Sequence, residues 1–162
     1  MRVYLVQHGD ALPRDVHSNR PLSERGRQDV ERLASLLQTC GVQVTCAVHS
    51  GKTRAAQTAE LLAAVVSPGR EVQLLQGLGP NDPVEPLIRQ IGGWGQDKDK
   101  LIVGHMPLLG RLAAKLVSGD EEREVVAFSP GTVVCLEKLE EAHWVVCWMI
   151  RPELLPGRVL QT

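Results

Sequence analysis

Apolar positions along the chain fall into two alternating rhythms. Residues 2–7, RVYLVQ, form a short β-branched and apolar run that reads as a buried strand. His8-Gly9-Asp10 follows as a loop, and 13–21, rich in Pro, Asp, Ser and Asn, reads as a longer one. Ser23 is placed as a helix N-cap. Val30, Leu33, Leu36 and Leu37 then recur at helical spacing until Gly41. A second strand, CAVHS at 46–50, leads into a helix over 53–66, whose Ala55, Ala59, Leu62 and Val66 share one face before Ser67-Pro68-Gly69 ends it. Residues 72–76 predict a third strand and 77–83 a loop. The helix that follows runs to Ile91, where Gly92-Gly93 is expected to stop it. KLIVGH at 100–105 predicts a fourth strand, and Pro107 suits the first turn of a helix reaching Val117. Two last runs, 132–139 and 143–150, flank a short polar turn and predict an antiparallel hairpin. The tail from Pro152 is expected to be irregular.

Strands alternating with helices imply a mostly parallel sheet covered on both faces, an α/β protein built as a three-layer α/β/α sandwich with a C-terminal antiparallel hairpin. No repeat or linker interrupts the pattern, so residues 1–162 are expected to form one domain.

Composition narrows the function. A formal net charge of −1 offers no basic field for nucleic acid or anionic lipid. Aromatic residues make up 3%, too few for a base-stacking surface. No run approaches the roughly 20 apolar residues that cross a bilayer, and the N-terminus lacks a signal-peptide core, so a cytoplasmic protein is expected. Cys40, Cys46, Cys135 and Cys147 make no C-x-x-C pair and have no histidine at metal-ligand spacing. Cys135 and Cys147 lie in apolar runs and are expected to be buried thiols. Trp94, Trp144 and Trp148 are read as packing residues, and His17, His49 and His143 as surface or packing residues.

The stretch Ser50-Gly51-Lys52-Thr53 resembles the end of a nucleotide-binding loop. A P-loop would place its first glycine at position 46, where Cys46 stands, and a Cβ there obstructs the close backbone approach that phosphates need. The phosphate chemistry is therefore sought elsewhere.

In an open α/β sheet, ligands bind beyond the carboxyl ends of the strands. Those ends carry Gln7-His8-Gly9, Ser50 with Arg54 just inside the next helix, and Gly104-His105; the first loop adds Arg20. Singly, each has an ordinary reading: a strand-end histidine, a surface ion pair, a solvated loop arginine. Together they suit a transferable phosphoryl group. Two guanidiniums can clamp its oxygens, and a neutral imidazole can attack phosphorus. A second imidazole, protonated, can hold another oxygen, and two helix N-termini can add N–H groups. This set asks for no metal or other cofactor, and the sequence offers no acidic cluster to hold magnesium. Asp10 is read as capping a turn, Ser50 as bonding nearby backbone, and Lys52 as facing solvent.

VYLVQHGDA near the N-terminus, RPLSERG at 20–26, SGKTRAAQTAELL at 50–62 and VGHMPLLGRL at 103–112 resemble the histidine phosphatase superfamily, and most of all its small SixA-type phosphohistidine phosphatases. The resemblance implies a phosphoglycerate mutase-like fold and a phosphohistidine intermediate. It implies His8 as nucleophile, His105 as the second catalytic histidine, and Arg20 and Arg54 as phosphate-binding residues. It also implies a phosphorylated protein as substrate, with sugar phosphates and other small phosphomonoesters as the alternative; a monomer is expected.

The chain departs from the family's Arg-His-Gly pattern: Gln7 replaces the arginine. Its amide can still donate to a phosphoryl oxygen but carries no charge. The loss predicts a slower enzyme, or a silent phosphate-binding module. It also predicts an acid limb at higher pH, because His8 loses a cationic neighbour. Relatives often carry a carboxylate after the third strand as general acid; here Asp82 is the one acid in 76–82, and water is the other candidate. An imidazole leaving group needs less help than an alkoxide, and no long insertion supplies a lid. Both observations favour phosphohistidine on a protein over a sugar phosphate.

Overall fold

The structure, a computed structural model, describes residues 1–95, 97–140 and 142–157. Along the chain run β1 (Arg2–Gln7), α1 (Glu24–Thr39), β2 (Cys46–His49), α2 (Thr53–Val66), β3 (Gln73–Leu74), α3 (Val84–Gly93), β4 (Lys100–Gly104), α4 (Leu108–Ser118), β5 (Val133–Glu140) and β6 (His143–Ile150), with a 3₁₀ turn at Pro152–Leu154. The strands make one sheet in the order β3-β2-β4-β1-β5-β6. The β3–β2, β2–β4 and β4–β1 pairings are parallel, and β1–β5 and β5–β6 are antiparallel.

The near-continuous apolar runs of β1 and β4 are explained by their place. They lie side by side at the sheet centre and are buried on both faces. Tyr4, Val6, Leu101 and Val103 face the α1–α2 layer with Leu33, Leu37 and Leu62. Val3, Leu5 and Ile102 face the α3–α4 layer with Leu87, Ile91, Leu109 and Leu112. Burying each such side chain contributes about 1.5–3 kcal/mol. A one-residue slip would turn the two sets onto the wrong faces, so the register is firmly held. In that register Gln7 lies opposite Gly104, and the two residues that follow, His8 and His105, leave the sheet as neighbours.

The helix signals behave as expected at most ends. Ser23 Oγ accepts the Gly26 N–H at 3.0 Å, and α4 closes on Gly119 in the left-handed region. Gly92 and Gly93 do not stop α3 but form its last turn, and Trp94 is the extended cap. That tryptophan packs on the α3–α4 core, and the Lys100 ammonium lies 5.8 Å from its ring centre, so tertiary packing sets the helix end. Pro107 stands one residue before α4 as its cap. The third strand shrinks to Gln73–Leu74, both exposed at the sheet edge.

Trp144 is buried, and Trp148 packs 5.9 Å from the Tyr4 ring. Cys135 is buried, but Cys147 is exposed, contrary to expectation. A register shift in the β5–β6 ladder beside Cys135 makes Cys147 the extra residue, and it bonds Glu137 at the surface. The tail is regular for one 3₁₀ turn at Pro152–Leu154; residues 158–162, part of the expected single domain and irregular tail, lie outside the described residues. Among the described residues no helix is long and apolar enough to cross a membrane.

Candidate active site

Adjacent strand ends bring the two histidines together, with ring centres 4.8 Å apart. The backbone around His8 is pinned on both sides. Its N–H donates to Gly104 O at 3.1 Å, and the Gly131 N–H reaches the carbonyls of Gln7 and His8 at 3.0 and 3.1 Å. Gly9 is wedged below: an added Cβ would meet Val30 at 2.9 Å and the Gly26 carbonyl at 3.0 Å. Gly26 is tighter still, since a Cβ there would lie 2.0 Å from Asp10 O. Asp10 completes the joint, its carbonyl taking the Ser23 N–H and its carboxylate the Ser23 hydroxyl at 2.6 Å. The first residues of α1 thus clamp the loop that carries His8.

The His8 ring is oriented unambiguously. Nδ1 lies 2.8 Å from Gly9 O, and a carbonyl can only accept, so Nδ1 carries the proton. The lone pair is on Nε2, which takes a hydrogen bond from Arg54 Nε at 3.1 Å. Arg54 is fixed in turn through Thr58, whose hydroxyl donates to Arg54 O at 2.8 Å and accepts the Gly9 N–H at 3.1 Å. One buried threonine therefore ties the nucleophile loop to the arginine helix.

Arg20 sits in the left-handed region at φ +47°, rare for a residue with a side chain. The loop is held there by the Ala11–Leu22 bridge, the Leu12 N–H to Pro21 O bond, and the Leu22 N–H to Gln57 Oε1 bond at 2.8 Å. Arg20 Nε donates to Leu12 O at 3.1 Å, which leaves its two terminal nitrogens for another partner. Its charge acts on His8, Arg54 and His105. Arg14, from the same loop, also acts on Arg54. A local concentration of guanidiniums that disfavour one another is relieved by an anion.

Burial is the main cause that lowers His8 to about 4; the Gly9 carbonyl opposes it, and Arg54 and Arg20 reinforce it. Burial therefore holds His8 below the ordinary histidine range even with an uncharged residue at position 7. His105 is 3% exposed, and burial lowers it to about 3, aided by His8, Arg54, Lys52 and Arg20. Without an anion in the site these surroundings favour the neutral imidazole.

Gln7 stands beside Gly104 in the register, and its Oε1 is buried with no hydrogen-bond partner among the described residues. Half a turn of the amide exchanges that acceptor for an NH₂ donor. The Asp82 carboxylate closes its own turn by accepting the Gly79 N–H at 2.7 Å. The link between β2 and α2 is only Ser50-Gly51-Lys52, too short to wrap a nucleotide triphosphate, and Gly51 has φ +88°. Neither α2 nor α4 has a side-chain N-cap, so their first N–H groups are available to an anion.

Four of the sequence candidates thus converge: His8 and Arg54 by direct contact, His105 by ring proximity, and Arg20 by its field. Thr58 and Gln57 were missed. Their signal was position alone, i+4 and i+3 from Arg54 on the same helix. Ser50 is expected to bond nearby backbone, and its hydroxyl takes the Lys52 N–H at 3.4 Å; it also meets His105 Nε2 at 2.6 Å, a contact the sequence does not disclose. Lys52 is exposed, as expected.

Residues 3–79 match the family model described as the histidine phosphatase superfamily (branch 1). That span holds His8, Arg20 and Arg54; the place of His105 rests on the geometry above. An uncharacterized protein from Picosynechococcus sp. is 32% identical over 124 residues, 74% of each chain. Phosphohistidine phosphatase SixA of Escherichia coli is 24% identical over 94% of each chain. The solved structure of protein histidine phosphatase SixA complexed with tungstate has a TM-score of 0.83 at 24% identity, covering 94% of this chain and 97% of that one. The alpha-ribazole phosphatase from Shigella flexneri shares the fold at TM-score 0.75 and 18% identity, covering 94% and 97%. With the family model matching residues 3–79 and a relative 32% identical over 74% of both chains, the protein belongs to the histidine phosphatase superfamily.

Proposed function

We propose that this chain is a phosphatase that removes phosphate from phosphohistidine on a protein, through a phosphorylated His8 intermediate. The observation that carries the reading is the state of His8. Its Nδ1 proton is tied to Gly9 O, and its Nε2 lone pair faces Arg54, whose Nε–H donates to it. A phosphoryl group drawn to Arg54 and Arg20 arrives in front of that lone pair.

The steps follow from these groups. The phosphoryl oxygens take the N–H groups of Arg54, which turns from His8 Nε2 toward them, with Arg20 and His105 as further donors. Nε2 attacks phosphorus; the new N–P bond forms as the bond to the substrate imidazole breaks, and that imidazole leaves with the electron pair and takes a proton from solvent. Water then attacks phospho-His8, giving inorganic phosphate and free His8. An imidazole needs little help to leave, which suits a site whose nearest sequence candidate for general acid, Asp82, is engaged in its own turn. The name of one relative points the same way, since SixA of Escherichia coli is called a phosphohistidine phosphatase. The test is phosphate release from a phosphohistidine-bearing protein, compared with sugar phosphates and other small phosphomonoesters. Faster turnover of the protein substrate is expected; preference for the small esters overturns the substrate assignment.

A second reading, a weakened phosphate-binding module, is motivated by Gln7 with its unpartnered buried oxygen. It predicts binding of phosphohistidine without turnover, and no gain from Gln7→Arg.

A further inference from the structure

His105 poses a problem for any phosphoryl-transfer role. Its surroundings keep it uncharged, yet a group facing an oxyanion must donate a proton to it. A neutral imidazole has one N–H, and which nitrogen bears it decides whether the ring attracts or repels the anion.

The contacts of His105 supply the answer. Ser50 follows β2, which runs beside β4 with His49 opposite Val103, so it leaves the sheet level with Gly104, one residue short of His105, and its hydroxyl reaches that ring. The Oγ–Nε2 distance is 2.6 Å, short for a hydroxyl–imidazole bond. No protein group among the described residues bonds Nδ1, and His105 lies against the His8 ring. Two proton arrangements are open. If Nε2 carries the proton and donates to Ser50, Nδ1 is a bare lone pair and repels phosphoryl oxygen. If Ser50 donates to Nε2, the ring proton is on Nδ1, ready to donate. The Lys52 N–H, at 3.4 Å from Ser50 Oγ, occupies an acceptor lone pair of the hydroxyl and favours its use as the donor toward His105.

We propose that Ser50 is a positioning residue that fixes His105 as the Nδ1–H tautomer, so that an uncharged imidazole donates to the phosphoryl group. The chain Lys52 N–H to Ser50 Oγ–H to His105 Nε2 then ends in an N–H aimed at the anion. His105 needs no proton from solvent before it can act, although Arg20, Lys52 and Arg54 surround it. The catalytic part of this inference rests on the phosphatase reading above; the tautomer does not.

The test is long-range ¹H–¹⁵N correlation of the His105 ring in the substrate-free, ¹⁵N-labelled full chain at pH 7. The expected pattern is a protonated Nδ1 and an unprotonated Nε2 in the native protein and in Ser50→Thr, with Ser50→Ala shifted toward the opposite tautomer. Ser50→Ala is further expected to lower kcat about tenfold, the scale of one hydrogen bond, with KM little changed and Ser50→Thr restoring most of the rate. In a His105→Gln background, Ser50→Ala should cost nothing more. A native Nε2–H ring, a doubly protonated ring, or a tautomer unmoved by Ser50→Ala overturns the proposal. A native protein that shows the expected ring pattern but turns over no phosphohistidine overturns the substrate reading and leaves the tautomer assignment standing.

Discussion

Lowering the pH should weaken this protein through His8 in a calculable way. Burial, the largest cause, with Arg54 and Arg20, holds His8 at about 4 in the folded chain, against an ordinary 6.5 when unfolded. A depressed value means that the unfolded chain binds the proton first. The contribution of His8 to stability is therefore complete above pH 6.5 and is lost as the pH falls from there toward 4. At pH 5 nearly all unfolded but only about a tenth of folded molecules would carry the proton, a loss of about 2 kcal/mol. His105, at about 3, titrates in the same direction and adds a loss of similar size. Urea denaturation at pH 7 and pH 5, on the native protein and on His8→Asn, isolates the His8 share. The native protein should lose about 2 kcal/mol more than the variant over that interval. Equal losses would refute the reasoning, as would a His8 ring signal titrating near 6.5.

Arg20→Gly should separate strain from function: it removes a side chain from φ +47° and so leaves stability unchanged or raises it by about 1 kcal/mol, while kcat/KM falls about ten- to a hundredfold. Thermal denaturation and steady-state kinetics on one preparation check both. Gly26→Ala drives a Cβ into Asp10 O and should destabilise by about 1–3 kcal/mol, with activity falling as the His8 loop shifts; a variant of native stability and rate would contradict the clamp. Gln7→Arg restores a charged donor beside the phosphoryl site and should raise kcat/KM about ten- to a hundredfold, measured as phosphate release; no gain would favour the silent binding module.

What the sequence disclosed was what short-range patterns encode. The β1 and β4 runs, the Ser23 cap and the α2 stripe are each legible within a few residues, and strand alternation with the rule of carboxyl-end sites was enough to gather His8, Arg54, His105 and Arg20. The α3 end was misread because Trp94 packing, not glycine flexibility, sets it. Cys147 was misread because a ladder irregularity turns an apolar run outward. Thr58, and the Ser50–His105 bond, escaped because the partners are 49 and 55 residues apart. The lowered pKa of His105 comes mainly from burial, which a list of neighbouring charges does not contain.

The most direct test of the central claim, that His8 Nε2 takes the phosphoryl group, is a rapid-quench pulse with ³²P-labelled phosphohistidine protein. Acid-labile, base-stable label is expected on the enzyme, mapped to the peptide carrying His8 and absent from His8→Ala. Label of that kind found on His105, or persisting in His8→Ala, would contradict it.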